Sequence, residues 1–193
     1  MPVRVPTGAA FHEKLVVFDT NSFGFQAVIS SSPHQMWAIK YGTTMRLDPT
    51  YTPQTCFDTL PRPKPTVDLE RLGHTLDEER REMMLRRDLG LTKLYNFVND
   101  PDIADSSDAD VARLRQIHVD LDHAVMDAYG WDVPLDHGFH TYRQMTRWTV
   151  SPAARVEILD RLLEENHRRT PLQNSTAALA DDDETLGDEG GDD

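Results

Sequence analysis

Apolar residues recur at helical spacing through most of the chain beyond Thr66. The pattern is clearest in "SDADVARLRQIHVDLDHAVMDAYG". There Val111, Leu114, Ile117, Leu121, Val125 and Ala128 form one stripe, the signature of a helix buried on one side. Ser107 stands where a cap is needed, Asp108 and Asp110 suit the positive end of the helix dipole, and Gly130 offers a left-handed stop. Upstream, "TVDLERLGHTLDEERREMMLRRDLG" places Leu69, Leu72, Leu76, Met83, Met84 and Leu89 among charged positions and predicts a long helix ending at Gly90. "LTKLYNFVND" predicts a short helix capped by Thr92 and ended by Asp100-Pro101. "RWTV" reads as a short strand. "SPAARVEILDRLLEENHRR" predicts a last helix capped by Ser151-Pro152, with Val156, Leu159, Leu162 and Leu163 turned inward.

Residues 1–65 show no such long period. "KLVVFDT" (Lys14–Thr20) has a β-branched centre and reads as a short strand. "FQAVISS" fits strand or helix. "SPHQMWAIKYG" reads as a helix capped by Ser32, with Pro33 in the first turn, Gln35 at the capping-box position and Gly42 at the end. Pro49, Pro53, Pro61, Pro63 and Pro65 then exclude a long helix and place a boundary near Pro65. The expected fold is therefore mainly α with a small α+β N-terminal portion. It divides into residues 1–65, a helical bundle over 66–169, and an acidic tail over 170–193 with too few apolar groups to order itself.

Charge changes this picture in one respect. The net charge of -13 is unevenly placed. Residues 1–65 hold six Lys/Arg against four Asp/Glu, whereas 66–130 hold eight against fifteen and 170–193 hold none against eight. A phosphate-facing surface is thus expected in the first third. No apolar run approaches the ~20 residues of a membrane span, and the first residues lack the apolar core of a signal peptide. The single cysteine, Cys56, excludes an internal disulfide, fits a reducing cytoplasm and reads as a buried structural thiol.

Candidate chemistry is sparse. His118 and His123 are five positions apart, off the i,i+4 spacing of a zinc helix, and His137 and His140 lack a partner cluster. Surface or helix-capping roles are expected for these histidines. There is no phosphate-cradling glycine loop and no Asn/Asp-Pro-Pro-aromatic motif for flipped adenine. None of Lys14, Lys40, Lys64 and Lys93 has the acidic residue two positions earlier that a restriction-type nuclease needs. "YRQMTRW" (Tyr142–Trp148) interleaves aromatics with Arg143 and Arg147, as base-stacking surfaces do, but core packing is the preferred reading of Trp131, Tyr142 and Trp148.

One block carries a resemblance. It runs from Ser31, Ser32, His34 and Trp37, through Thr43, Arg46, Asp48, Tyr51, Thr52 and Pro53, to Cys56, Phe57, Thr59, Leu60 and Pro61. It resembles the end of the target-recognition domain of MmeI-like type II restriction-modification enzymes and related adenine-specific DNA methyltransferases, including those of BREX and DISARM phage defence. Leu60 stands where the family has Phe. "GLTKLYNFVNDPD", "LRQIHVDLDHAVMDAYGW" and "RVEILDRLLEENHRR" resemble the helical segment that follows in that family.

The resemblance implies double-stranded DNA as partner, with no membrane. Lys40, Thr43, Thr44, Arg46 and Tyr51 are the expected DNA-facing residues, Lys40 and Arg46 toward phosphate or guanine and the hydroxyls toward phosphate. A loop-stabilising hydrogen bond is the alternative for each. The resemblance further implies that nuclease, methyltransferase fold and S-adenosylmethionine lie in a missing part. The chain is then a gene fragment, a truncated reading frame or a separate subunit, with no cofactor, metal or catalytic residue of its own. A small acidic helical interaction module, or an inhibitor of a DNA enzyme, is the competing reading.

Overall fold

The structure, a computed structural model, describes residues 1–6, 8, 10–12, 15–45, 48–142 and 145–184. Residues 43–45, 48–49 and 171–184 are described by backbone alone. The described residues form seven helices and two small antiparallel ribbons, so the chain is mainly helical as the periodicity predicts. In order these are α1 (Phe23–Ser30), α2 (Ser32–Tyr41), β1 (Thr43–Met45), β2 (Asp48–Thr50), α3 (Pro53–Cys56) and α4 (Val67–Arg87). They continue with α5 (Leu91–Val98), α6 (Ala109–Tyr129), β3 (Gly138–Tyr142), β4 (Met145–Thr149) and α7 (Pro152–Glu184).

The stripe on α6 builds the core. Val111, Leu114, Ile117, Leu121 and Val125 are all buried, and α6 packs on α4 through Leu69, Leu72, Leu76 and Met83. Ala27, Val28, Met36, Trp37 and Leu60 of the N-terminal segment pack into the same cluster. Helix α1 lies directly on α4. The Glu70 carboxylate receives the Phe23 N–H at 2.8 Å and the Ser22 hydroxyl. A β-carbon at Gly73 would sit 1.9 Å from the Phe23 carbonyl oxygen, so this mid-helix glycine is what lets the two backbones meet.

Helix ends mostly follow the sequence, with shifts of one residue or so. Gly130 closes α6 at φ 72°, as its position after the stripe predicts. The cap at the other end is Asp108 rather than Ser107, and its carboxylate receives the Asp110 and Val111 N–H groups. Helix α2 is capped by Ser31, not Ser32. The Ser31 N–H closes α1 on the Val28 carbonyl while its hydroxyl faces the His34 N–H, so one residue ends one helix and starts the next. Asp88 at φ 49° ends α4, which leaves Gly90 to begin α5 in place of Thr92. Ser151 caps α7 through the Ala154 N–H as predicted.

Two expectations are corrected. Leu15–Thr20 forms no strand (Lys14 lies outside the described residues). Leu15 and Val17 are exposed, and only Phe18 is drawn in, against Phe25 and Phe57. A β-branched run without a neighbouring edge has nothing to pair with. Val156 is exposed, and Ala154, Ile158 and Leu162 form the buried line of α7 instead, with Leu159 and Leu163 flanking it. The backbone of α7 is described as far as Glu184.

The histidine expectation changes for His118 and His137, whereas His123 is exposed as expected. His137 is half-buried, with its side chain 7% exposed, and its Nε2 lies 2.9 Å from the Asp122 carboxylate. Asp122, which is buried, accepts the Ser32 N–H at 2.7 Å, so one carboxylate ties α6 to the first turn of α2 and to the segment before β3. His118 sits partly buried with Nε2 2.8 Å from the Tyr95 hydroxyl. Loss of hydration holds its pKa down to about 4, the charge of nearby Asp122 opposing. Surface placement fails because i,i+4 spacing puts His118 and Asp122 on a flank of the buried stripe.

Arg115 is buried too. Its guanidinium donates to the carbonyls of Val98, Asp100 and Ile103 and to the Asp105 carboxylate, at 2.6–3.1 Å. It also lies 4.9 Å from the Phe139 ring centre and 5.1 Å from that of Trp148. One side chain thereby fixes the α5–α6 connection and the β3–β4 ribbon to the bundle.

Candidate nucleic-acid interface

Helix α2, the β1–β2 ribbon and α3 form one local unit, and the residues of the resemblance hold it together. His34 is buried in the first turn of α2, with Nδ1 2.8 Å from the Ile29 carbonyl. A carbonyl can only accept, so Nδ1 carries the proton and Nε2 is left to accept from the Tyr51 hydroxyl at 3.0 Å. Burial lowers the His34 pKa to about 4 and raises that of Tyr51 to about 12, so both are neutral at pH 7. Trp37, 2% exposed, donates its indole N–H to the Thr59 hydroxyl at 3.1 Å, and that hydroxyl donates to the Thr55 carbonyl at 2.6 Å. Cys56 is buried, its sulfur 3.7 Å from the Ala38 carbonyl, consistent with a structural thiol.

Against this frame the expected DNA-facing residues divide. Lys40 is exposed in the last turn of α2, 5.5 Å from the Tyr41 ring centre, free to turn toward an anion. Thr43 and Thr44 lie on β1, in register with Thr50 and Pro49 of β2. Arg46 lies outside the described residues. The Tyr51 hydroxyl is engaged with His34, the loop-stabilising role that was its alternative.

Sequence reasoning passed over Arg62. It is exposed, its guanidinium stacks 4.2 Å above the Phe57 ring, and its charge bears on Tyr51. Its backbone carbonyl accepts from Arg169 at 2.7 Å, and the Thr59 carbonyl accepts from Asn166 at 2.5 Å, so α7 braces the exit of the unit. The available signal was a basic residue between prolines directly after the quoted block.

The wider electrostatics favour this end of the molecule. Thr20–Leu47 contains no Asp or Glu. On the α4–α6 side, by contrast, three acids are paired with arginines across the helices. Arg113 meets Glu79 at 2.7 Å, Arg86 meets Asp110 at 2.6 Å, and Arg87 meets Asp108 at 2.9 Å. Among the described residues no three His, Cys, Asp or Glu side chains group as a metal site, and no helix is long and apolar enough to cross a membrane.

Three comparisons with known proteins return nothing: no family model matches the chain, and neither a curated protein nor a solved structure does.

Proposed function

We propose that this chain is the C-terminal recognition and helical part of a site-specific N6-adenine DNA methyltransferase or restriction-modification enzyme of phage defence. The observation that carries the reading is the convergence of His34, Trp37, Tyr51, Cys56 and Thr59 on one frame that holds the ribbon beside exposed Lys40. These residues come from three separate pieces of the quoted block, and a frame of this kind gives a DNA-facing turn a fixed shape. The helical bundle braces the frame through Asp122, Asn166 and Arg169. Methyl transfer from S-adenosylmethionine and base flipping belong to a portion or subunit outside this chain, whose sequence lacks the motifs for either.

The test is binding of a labelled DNA duplex across a salt series. The reading expects an apparent affinity that falls steeply with salt, by a slope near -0.9 per phosphate neutralised, and that weakens in Lys40→Ala and Arg62→Ala. It also expects tritiated methyl transfer to DNA to stay at background for this chain alone. Binding that ignores salt, or no binding, favours the acidic interaction module instead.

A further inference from the structure

A second acid-free stretch runs from His137 to Val156 and holds Arg143, Arg147 and Arg155, in a chain with 33 Asp and Glu. Most of it is the β3–β4 ribbon, far in sequence from the unit described above. The register pairs Phe139 with Trp148, His140 with Arg147, Thr141 with Thr146, and Tyr142 with Met145. Alternation along the strands then separates two faces. Phe139 and Trp148 pack at 5.3 Å between ring centres and rest on Arg115, so theirs is the face turned to the bundle. His140, Tyr142, Met145 and Arg147 share the other face. Tyr142, Met145 and Arg147 are exposed, and the Arg155 guanidinium of α7 stacks 4.2 Å from the Tyr142 ring centre.

We propose that this outer face, with Arg147 and Arg155 as its cations, is a second contact to duplex DNA and lies against the phosphate backbone. The inference rests on the DNA-binding reading above and extends it to the helical part. Three observations point to this occupant. Among the described residues neither Arg147, which is exposed, nor Arg155, which is half-buried with its Nη2 enclosed and unpartnered, has an ion-pair partner, unlike Arg86, Arg87 and Arg113 on the α4–α6 faces. An arginine left without a carboxylate in so acidic a chain retains its charge for an external anion. A two-stranded ribbon also has the width that a DNA groove admits. Finally, the edge of β4 walls an open groove of about 430 Å³, with Arg147 and Thr146 on one side and Asn96, Asn99 and Asp100 on the other. Asn96, Thr146 and Arg147 supply polar groups to this groove and Pro101 and Met145 supply apolar ones, a mixture that suits the charged phosphates and the apolar sugar faces of a nucleic-acid backbone. The Asp100 carboxylate is engaged by the Asp102 N–H at 3.0 Å.

The experiment compares the full chain with Arg147→Gln, Arg147→Gln/Arg155→Gln and Arg113→Gln, using a fluorescein-labelled 20-base-pair duplex and the matching single strand. Arg113→Gln removes the same charge from the α4–α6 face and controls for net charge. Melting curves establish that each variant is folded. The proposal expects Arg147→Gln to weaken duplex binding several-fold and to reduce the salt slope by about 1, the double variant to reduce it further, and Arg113→Gln to match wild type. Wild-type binding by both ribbon variants overturns the ribbon contact and leaves the α2–α3 interface standing. An equal loss in Arg113→Gln overturns it as well, since the effect is then one of net charge. Tighter binding of the single strand overturns the duplex assignment. Absence of salt-dependent binding in wild type overturns this proposal together with the reading it rests on.

Discussion

Replacing Asp122 with alanine tests the link between the helical bundle and the candidate interface. The carboxylate is 1% exposed, receives the Ser32 N–H at 2.7 Å and lies 2.9 Å from His137 Nε2. Alanine removes both contacts and leaves a buried ring nitrogen and a helix-first-turn N–H without partners. Hydrogen bonds to a charged group contribute about 1.5–3 kcal/mol each, and both are lost here. The expected loss is therefore about 3–6 kcal/mol, or roughly 6–24 °C in melting temperature at about 2–4 °C per kcal/mol for a chain of this size. Asp122→Asn keeps an acceptor for Ser32 and should lose about half as much. Because Ser32 opens α2, the alanine variant should also weaken duplex binding by a chain that is still folded, through disorder of the helix that carries Lys40. Thermal melts and urea titrations followed by circular dichroism give the stabilities. If Asp122→Ala melts with the exposed variant Asp127→Ala, close to wild type, the carboxylate is not the tie described here and the reasoning fails.

Leu121→Ala should cost about 2–5 kcal/mol, the range for a fully buried leucine, while Asp127→Ala stays near zero; the reverse order in melting would show α6 facing the other way. Gly73→Ala should destabilise by about 1–3 kcal/mol through the clash with the Phe23 carbonyl, although helix propensity alone predicts a gain of about 1 kcal/mol, so the sign of the change in urea midpoint decides between them. His34 has a folded pKa of about 4, below its unfolded value, so its contribution is present above pH 6.5 and is lost as pH falls toward 4. His118 acts in the same direction. Melting temperature should thus fall between pH 6.5 and 5, before carboxylates titrate, and His34→Gln should flatten that slope; an equally steep profile in the variant would remove His34 as its cause.

The helical character of the chain was legible in its order of residues, because a stripe such as Val111 to Val125 can be buried only by a helix, and Gly130 marks its end whatever lies beyond. Local chemistry likewise placed Thr66 and Ser151 at helix starts and Pro65 before a long helix. Ser31 against Ser32, and Asp108 against Ser107, were undecidable locally, since adjacent residues offer equivalent caps and the turn geometry chooses. The strand expected at Lys14–Thr20 failed for a different reason: strands exist in pairs, and whether an edge is available is a property of the whole fold. The quoted block could be recognised as a unit, but its division into frame and surface could not be read from it. Tyr51 and Lys40 looked alike as hydrogen-bonding residues beside a turn. Only packing turned the tyrosine hydroxyl onto His34 and left the lysine outside. Arg115, Asp122 and His137 show the same limit most sharply. A polar residue on the flank of an apolar stripe is ordinarily solvated, and its burial becomes favourable only when distant segments deliver the carbonyls, N–H groups and rings that replace water.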